Sequence, residues 1–323
     1  MPKIVACTLS STIQKTILFP RLALGEVNRS SSYRLDASGK AVNLARVLGE
    51  IDPGCVVALC PVGEDNAGVF MSLARKDGLD VRAVPVPGLT RYCYTLLSPD
   101  GGGYAATELV VSEPTSNEAA AERAFARAGE RFLEELDGLL DGADALAIAG
   151  SRPASYPADL YTRTCALARS RGVPCMADFH GGDLAAAVAD ACPRIIKINE
   201  EEFLGTFGYG SRVGDGSDIG ASATGEAALI KLVGDVSARL GAAIIVTRGA
   251  RDVIASDSGV SVVAPVASVT PVNVIGCGDA FSAGFLHAWI SGLGLAAAIA
   301  EGSRCASLNA RSIRPGSVRA GLE

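Results

Sequence analysis

Short runs of apolar residues alternate along this chain with stretches in which apolar positions recur every three to four residues. Uninterrupted runs are typical of strands buried on both faces of a parallel sheet, and the longer period is typical of helices with one buried face. The predicted buried strands are Lys3–Leu9, Val56–Cys60, Ala145–Ala149, Val173–Ala177, Ile195–Ile198 and Ile244–Thr247. The predicted helices are Ala41–Ile51, Glu118–Leu140, Ala158–Arg171 and Gly225–Leu240. Their alternation predicts an α/β fold in which helices cover a mainly parallel central sheet.

Two segments in the N-terminal third break this alternation. Thr16–Leu35 and Arg91–Val111 carry strand and turn signals without a helical period, and Pro99–Gly103 has the composition of a tight turn. We expect the two segments to form a small antiparallel sheet that acts as a lid. The glycine-rich segment Gly205–Gly220 is predicted to be a surface loop. The expected organisation is a single domain over residues 1–323, with lid segments at about 16–35 and 91–111.

One stretch without charged residues, from Ala280 to Ala300, has the length of a membrane-spanning helix. Ser282 and Gly284 interrupt its apolar character, and Gly292-Leu-Gly294 has the composition of a break between two helices. We therefore predict two buried helices here and no contact with a membrane.

Composition and charge exclude several classes of protein. With 323 residues, of which 49% are hydrophobic and 20% charged, the chain is long and apolar enough to fold around a core. The net charge of −6 disfavours sequence-independent binding of nucleic acid, which needs a basic face. Nine scattered cysteines without a CxxC pair disfavour a disulfide framework and a zinc ribbon. The N-terminus lacks the pattern of a signal peptide, so the cytoplasm is the expected compartment.

The strongest chemical signal is Gly276-Cys277-Gly278-Asp279, which follows the extended run Gly259–Val269 and opens a helical pattern. Glycines at a helix N-terminus let successive backbone N–H groups point outward and form a site for phosphate. Asp279 at the mouth of such a site is suited to accept the proton of an attacking hydroxyl. The alternative is a glycine turn with Asp279 as an ordinary N-cap.

A second cluster, Ser38-Gly39-Lys40 followed by Asn43, opens the first predicted helix. It lacks the GxxxxGK spacing of a P-loop. Polar groups at a helix start can grip a small polar or phosphorylated substrate. A solvated lysine and asparagine remain the alternative.

A third cluster follows a buried strand and contains Lys197, Asn199 and Glu202. In open α/β sheets, ligands bind at the carboxyl ends of the strands, and Asn and Glu oxygens suit Mg²⁺ and its waters. The alternative is a helix start in which Glu200–Glu202 complement the helix dipole.

In their order and spacing along the chain, the three clusters resemble the PfkB (ribokinase-like) carbohydrate kinases, and within them the branch of 1-phosphofructokinase and tagatose-6-phosphate kinase. Further segments that resemble this branch are Gly25–Arg29, Thr90-Arg91, Thr107-Glu108, Gly150-Ser151 and Thr247–Gly249. The resemblance covers nearly the whole chain. It implies a ribokinase-like three-layer sandwich with a small β-sheet lid, ATP and Mg²⁺ as cofactors, and a sugar or sugar phosphate as substrate. A homodimer is one assembly that it allows.

The resemblance also implies roles for the candidate residues. Asp279 would be the general base. The anion hole for the γ-phosphate would consist of the backbone amides of Gly276, Cys277, Gly278 and Asp279. The residues implied at the nucleotide are Lys197, Asn199, Glu202, Thr247, Gly249 and Asn309. Of these, Asn199 and Glu202 would organise Mg²⁺ through water and the ATP phosphates. The residues implied at the sugar are Gln14, Gly39, Lys40, Asn43, Arg91 and Ser151, with Arg29 as a further candidate.

The chain departs from the branch mainly at the sugar. The branch usually carries Asn-Pro-Ala-Ile-Asp after the first strand, with the Asp on sugar hydroxyls, whereas this chain has Ser10–Gln14. The Gln14 amide can hydrogen-bond but lacks the charge. Ser38 and Ala41 replace two glycines around Lys40, and Asp252 replaces the second glycine of a Gly-x-x-Gly near the nucleotide. Ile198 replaces a proline, and Cys277 replaces an alanine. The phosphoryl-transfer residues are therefore retained, while the sugar pocket is altered.

The expected function is transfer of the ATP γ-phosphate to a hydroxyl of a sugar phosphate of the fructose 1-phosphate, tagatose 6-phosphate or fructose 6-phosphate type. Two alternatives remain open, a kinase of an unphosphorylated sugar or nucleoside and a catalytically silent sensor of nucleotide or sugar. A dehydrogenase is disfavoured because no G-x-G-x-x-G follows the first strand.

Overall fold

The structure, a computed structural model, describes residues 2–111, 119–208 and 225–319. Most of the loop predicted over Gly205–Gly220 lies outside the described residues, as does Glu118, the first residue of the longest predicted helix. Gly205 itself belongs to a helix that ends at Phe207.

The larger sheet has nine strands in the described residues and is parallel over most of its width. Side by side and numbered along the chain, they are β13 (Val260–Ala264), β12 (Arg251–Asp257), β11 (Ala243–Arg248), β10 (Ile195–Asn199), β9 (Cys175–Asp178), β8 (Ala145–Ala149), β1 (Ile4–Cys7), β4 (Val56–Gly63) and β5 (Val81–Val86). Only β12 and β13 run antiparallel to their neighbours. Every predicted buried strand is present, and the mainly parallel sheet is confirmed.

Helices cover both faces of this sheet. One face carries α3 (Ala119–Leu140), α4 (Leu160–Ser170), α5 (Gly181–Ala191), α6 (Glu200–Phe207) and α7 (Glu226–Leu240). The other carries α1 (Lys40–Ile51), α8 (Cys277–Ile290) and α9 (Leu295–Ala310). Successive residues of a strand point to opposite faces, so Val5 and Cys7 enter the first core while Ile4 and Ala6 enter the second. The fold is a three-layer sandwich.

A separate sheet of four strands lies beside the sandwich. Its order is β3 (Ser32–Ser38), β2 (Thr12–Leu18), β6 (Tyr92–Asp100) and β7 (Gly103–Val110). The antiparallel prediction is wrong for the central pair, because β2 and β6 run parallel. The two strands belong to separate segments of the chain. Each segment forms its own antiparallel pair, β2 with β3 and β6 with β7. Ile13 and Ala37 of this sheet pack with Phe70 of α2 (Ala67–Lys76), which follows a 3-10 turn at Glu64–Asn66.

The uncharged C-terminal stretch forms the predicted pair of buried helices. α8 ends at Ile290, Gly292 adopts a φ of +83°, and α9 begins at Leu295. The two helices pack closely, since a Cβ on Gly284 would lie 2.6 Å from the sulfur of Cys305. Within the described ranges, no helix is both long and apolar enough to cross a membrane. All nine cysteines are free thiols.

The strand order sets the position of the site. From β1 in the interior of the sheet, the chain builds β4 and β5 on one side and β8 to β11 on the other. Ligands of open α/β sheets bind at the carboxyl edge near such a reversal of strand order. Gly150-Ser151, Asp178, Asn199 and Thr247 all lie at this edge, at the ends of β8, β9, β10 and β11.

Candidate active site

A cavity of about 490 Å³ opens at the carboxyl edge of the main sheet, and residues of the small sheet also line it. Its volume lies within the range typical of small-molecule sites. The sequence-predicted residues that line it are Gln14, Gly39, Lys40, Asn43, Arg91, Ser151, Lys197, Asn199, Glu202, Thr247, Gly276, Gly278 and Asp279. The fold thus brings all three predicted clusters into one site.

The glycine turn before α8 forms one wall of the cavity. Gly276 is the N-cap of α8 with a φ of +83°, and a Cβ there would lie 2.6 Å from the backbone nitrogen of Gly316. Both the backbone conformation and the available space therefore require glycine. The first turn of a helix presents N–H groups without intrahelical acceptors, and here that turn borders the cavity. This wall can bind an anion.

Asp279 lies in the first turn of α8, and only 7% of its surface is exposed. Asn43 of α1 donates a hydrogen bond from Nδ2 to Asp279 Oδ2 at 2.8 Å. Burial raises the pKa of Asp279 to about 6, and the neighbouring Asp178 acts in the same direction against the opposing effect of Lys40. A carboxylate with a pKa this close to neutrality, on the wall of a cavity, is suited to general base catalysis.

Two lysines of the cavity share one buried carboxylate. Asp178 Oδ1 lies 3.3 Å from Lys40 Nζ, and Asp178 Oδ2 lies 2.9 Å from Lys197 Nζ. Burial alone would raise the pKa of Asp178, but the two ammonium groups hold it well below its usual range. Asp178 in turn raises the pKa of Lys40, so this lysine stays charged. The cavity therefore contains two fixed positive charges beside the anion-binding wall.

Asn199 and Glu202 form a capping box at the start of α6. Asn199 Oδ1 accepts from the Glu202 backbone nitrogen, and Glu202 Oε2 accepts from that of Asn199, both at 2.9 Å. The other oxygen, Glu202 Oε1, lies 3.6 Å from Nε2 of His180. Among the described residues, no cluster of three or more acidic, histidine or cysteine side chains forms a metal site. The donor set fits a Mg²⁺ ion that keeps most of its waters and binds through phosphates.

The small sheet contributes the opposite wall. Gln14 is buried, and its Nε2 donates to Thr95 Oγ1 on the neighbouring strand β6 at 2.8 Å. Arg91 donates from Nη2 to Ser10 Oγ at 2.9 Å. Burial raises the pKa of Glu108, against the opposing effect of the Arg91 charge. This wall can hydrogen-bond hydroxyl groups and pair with one anionic group.

Some predicted residues lie away from the cavity lining. Gly249 is exposed in the turn between β11 and β12, and Arg29 is exposed on the small-sheet side of the molecule. Asn309 is fully buried, where its Nδ2 donates to the Ile275 carbonyl and its Oδ1 accepts from the Gly316 nitrogen. Asn309 therefore fixes the loops around the glycine turn. Cys277 supplies the first residue of α8, with its sulfur 3.3 Å from Asn309 Nδ2.

Sequence reasoning did not propose a role for Asp178 or Thr12, and it named Glu108 only within a segment that resembles the family. All three residues also line the cavity. A usable signal existed for Asp178, because it is the polar residue that ends a buried strand, as Asn199 does. Thr12 gave no such signal, since its position depends on how the small sheet sits over the strand ends.

A buried network of charged side chains, formed by Arg46, Asp77 and Arg314, contacts Asn43 on the side away from Asp279 through Arg46. Arg46, one turn further along α1, donates from Nη1 to Asn43 Oδ1 at 3.1 Å and to the Pro315 carbonyl at 3.0 Å. Its Nη2 lies 3.3 Å from Asp77. Burial, followed by the charge of Arg314, lowers the pKa of Arg46 to about 10. The orientation of Asn43, and through it Asp279, thus depends on a guanidinium outside the cavity lining.

Comparisons with known proteins identify the family and the fold of this chain. The sequence profile of the family described as "pfkB family carbohydrate kinase" matches residues 6–318. A 1-phosphofructokinase of Rhodobacter capsulatus is 30% identical over 295 residues, which is 91% of this chain and 86% of that protein. A 1-phosphofructokinase of Xanthomonas campestris is 30% identical over 68% of this chain and 66% of that protein. The crystal structure of phosphofructokinase-2 from Escherichia coli with fructose-6-phosphate superposes with a TM-score of 0.80 at 19% identity, covering 95% of this chain and 93% of that one.

Proposed function

Since this chain belongs to the pfkB family of carbohydrate kinases, we propose that it transfers the γ-phosphoryl group of ATP to a hydroxyl of a sugar phosphate, with Asp279 as the general base. The observation that carries the proposal is the buried Asp279 carboxylate, on the cavity wall at the N-terminus of α8. The similarity to two bacterial 1-phosphofructokinases supports a phosphorylated acceptor.

The reaction follows from the two walls of the cavity. The acceptor hydroxyl loses its proton to Asp279 as its oxygen attacks the γ-phosphorus, and the bond from that phosphorus to the bridging β-phosphate oxygen breaks. ADP leaves, and no covalent enzyme intermediate forms. The amides around Gly276 and Gly278, with the ammonium group of Lys40, stabilise the charge on the transferring phosphoryl group. A lid formed by the small sheet would limit attack by water.

Asn199 and Glu202 would hold Mg²⁺ through water and the ATP phosphates, where the ion neutralises the charge on the β- and γ-phosphates. Both side chains are already fixed by the capping box at the start of α6. Lys197 and Thr247 border the same part of the cavity and are proposed to bind the nucleotide phosphates.

The acceptor is proposed to lie against Gln14, Gly39, Asn43, Arg91 and Ser151. These residues line the cavity and lie in or beside the small sheet, at the start of α1 and just after β8. Gln14 supplies an amide for a sugar hydroxyl, and Arg91 supplies a guanidinium for the sugar's own phosphate.

An unphosphorylated sugar is the second candidate acceptor, favoured by one observation. The basic residues lining the cavity in the described part of the chain are Lys40, Arg91 and Lys197. Asp178 forms ion pairs with both lysines, so Arg91 is the cation that remains to pair with a phosphate on the sugar. Glu108 lies close enough to Arg91 for the two charges to interact. The charge balance of this wall is therefore compatible with a neutral acceptor.

The test is release of ADP from Mg-ATP in the presence of fructose 1-phosphate, fructose 6-phosphate, tagatose 6-phosphate, free hexoses and nucleosides. We expect turnover with a hexose phosphate and a loss of about 10²–10⁴-fold in Asp279→Asn, because a general base typically contributes that factor. Nucleotide affinity should change little in this variant. Asp190→Asn, at an exposed aspartate of α5, is the matched control and should keep full turnover.

The outcomes separate the candidates. Turnover with free hexoses that exceeds turnover with every hexose phosphate would support the second candidate. Thermal stabilisation by nucleotide and sugar without any ADP release would support a silent sensor. Turnover that survives Asp279→Asn would disprove the assignment of the base.

A further inference from the structure

Asp178 is a buried carboxylate at the phosphoryl-transfer end of the cavity that the proposed mechanism does not use. It ends β9 at the carboxyl edge of the main sheet, is 2% exposed and also lines the cavity. A buried charge is costly unless donors satisfy it, so its contacts indicate why it is retained.

The contacts of Asp178 come from three different elements. Lys40 lies in the first turn of α1 and Lys197 lies on β10. Ser282 Oγ, one turn beyond Asp279 on α8, lies 2.9 Å from Asp178 Oδ2. One carboxylate therefore links the beginning of α1, the end of β10 and the first turns of α8.

These contacts fix the position of both ammonium groups. Lys197 Nζ also lies 3.3 Å from the Gly278 carbonyl, and a Cβ on Gly278 would lie only 3.2 Å from that nitrogen. The Lys40 side chain is 42% exposed, and its Nζ contacts Asp178 Oδ1 at 3.3 Å. A lysine side chain has many rotamers, so an anchor at its ammonium group restricts where that charge lies.

At this end of the cavity, two carboxylates lie beside two ammonium groups. Asp178 and Asp279 face Lys40 and Lys197, and the two lysine charges lower the pKa of both carboxylates against the effect of burial. Without the charge of Asp178, two cations would face the anion-binding wall opposite a single carboxylate. A site without the Asp178 charge would bind a phosphate in the ground state at least as tightly as the wild-type site does. Its two lysines, however, would no longer be positioned for the transfer.

We propose that Asp178 is a positioning residue for phosphoryl transfer, which acts by holding the ammonium groups of Lys40 and Lys197 beside Asp279. The inference rests on the proposed function. It assigns to Asp178 no contact with the substrate: its effect on the reaction passes through the two lysines.

The test compares Asp178→Asn with the wild type in two measurements, kcat with the preferred sugar and affinity for the nucleotide analogue AMP-PNP with Mg²⁺. Misplacement of a catalytic group by about 1 Å typically costs 10²-fold, so we expect kcat to fall by about 10²-fold. We expect AMP-PNP to bind no more weakly than to the wild type. Asp183→Asn is the matched control, because Asp183 pairs with Arg152 at 3.0 Å and is not among the residues that line the cavity.

A double-mutant cycle shows whether the effect passes through Lys40. In a Lys40→Met background, Asp178→Asn should lower kcat by clearly less than the 10²-fold expected in the wild type, because one of the two lysines through which it acts is already gone. A merely structural role would give the same loss in both backgrounds and would weaken AMP-PNP binding together with kcat, and either result would overturn the inference. An unchanged kcat in Asp178→Asn would also overturn it.

The two proposals fail in different ways. A wild-type protein without turnover on any sugar would count against the proposed function. In that case the AMP-PNP measurement still tests Asp178, since affinity lost in Asp178→Asn contradicts the charge argument without reference to catalysis.

Discussion

Asn43 Nδ2 donates a hydrogen bond of 2.8 Å to Asp279 Oδ2, which joins the first turn of α1 to the first turn of α8. The side-chain oxygen Oδ1 of Asn43 accepts from Ser38 Oγ at 2.9 Å and from Arg46 Nη1 at 3.1 Å. These contacts engage both polar atoms of the Asn43 side-chain amide within the protein. Asn43 thus orients Asp279 and stabilises its ionised form, in addition to lining the cavity.

The first prediction concerns this bond. Asn43→Leu removes the donor at similar volume, so the pKa of Asp279 should rise above about 6, because the Asn43 bond lowers it at present. The acidic limb of the profile of kcat/KM against pH should then move to higher pH. Ser38→Ala is the control: it removes another partner of Asn43 but leaves the Asp279 bond, so its limb should stay in place. A profile for Asn43→Leu that matches the wild type would contradict the assignment.

The second prediction concerns stability as a function of pH. Asp279 has a pKa of about 6 in the folded protein against an ordinary value of 3.8, so the folded state binds this proton more tightly. Its contribution to stability is therefore greatest at low pH and is lost as the pH rises from about 4 to about 6. Asp279→Asn should raise the free energy of unfolding at pH 7.5, by at most about 3 kcal/mol.

Urea unfolding at pH 7.5 and near pH 4 checks this second prediction. The gain from Asp279→Asn should be present at the higher pH and small at the lower one. Lys40 and Lys197 oppose the effect of burial on Asp279, and Asp178 adds to it. Equal gains at both pH values would show that the stabilisation does not come from ionisation of Asp279.

The third prediction uses two glycines that share a φ of +83°. A Cβ on Gly276 would lie 2.6 Å from the Gly316 nitrogen, whereas one on Gly292 would have nothing within 4 Å. Gly292→Ala should therefore cost only the backbone strain, about 1–2 kcal/mol, and keep full turnover. Gly276→Ala should cost more and abolish turnover, since the loop that presents the α8 amides must move. Equal losses of stability, measured by urea unfolding, would exclude crowding as the cause.

The fourth prediction concerns the ion network below the site. Removing one partner of a buried charge cluster typically costs about 3–5 kcal/mol, so Arg46→Met should destabilise the fold by that amount. Arg304 is the control, because its pair with Glu301 is exposed and such pairs contribute about 0–1 kcal/mol. Chemical unfolding of Arg46→Met and Arg304→Ala measures both values. A loss below about 1 kcal/mol for Arg46→Met would show that Asp77 and Arg314 satisfy each other without it.

Much of the main sheet could be predicted from the sequence, because its strands are buried on both faces and read as uninterrupted apolar runs. The predicted Val56–Cys60 and Ile195–Ile198 each lie within an observed strand. The small sheet was harder to predict, since its strands are half-exposed and the parallel pairing of β2 with β6 is a long-range contact. Local patterns carry no information about such a pairing.

The candidate site shows the same division. Asp279 and Lys40 lie in recognisable local motifs at helix starts, so the sequence indicated them directly. Asn309 lies in a helix without any such motif, and only the folded chain reveals that its amide joins two loops. The contacts of Asp178 with Lys40 and Lys197 could not be predicted, because these residues lie in helices and strands far apart in the sequence.

The fifth prediction tests the altered sugar pocket at Gln14. Its Nε2 donates to Thr95 Oγ1 at 2.8 Å, and Gln14 lines the cavity, so we expect its amide oxygen to accept from a hydroxyl of the acceptor. Gln14→Leu should raise KM for the sugar by about 10–100-fold, the typical cost of one or two lost hydrogen bonds, and leave KM for Mg-ATP unchanged. Thr95→Val removes only the partner of Gln14 and should raise the sugar KM far less. Equal effects of the two substitutions would mean that Gln14 supports the small sheet and does not contact the acceptor.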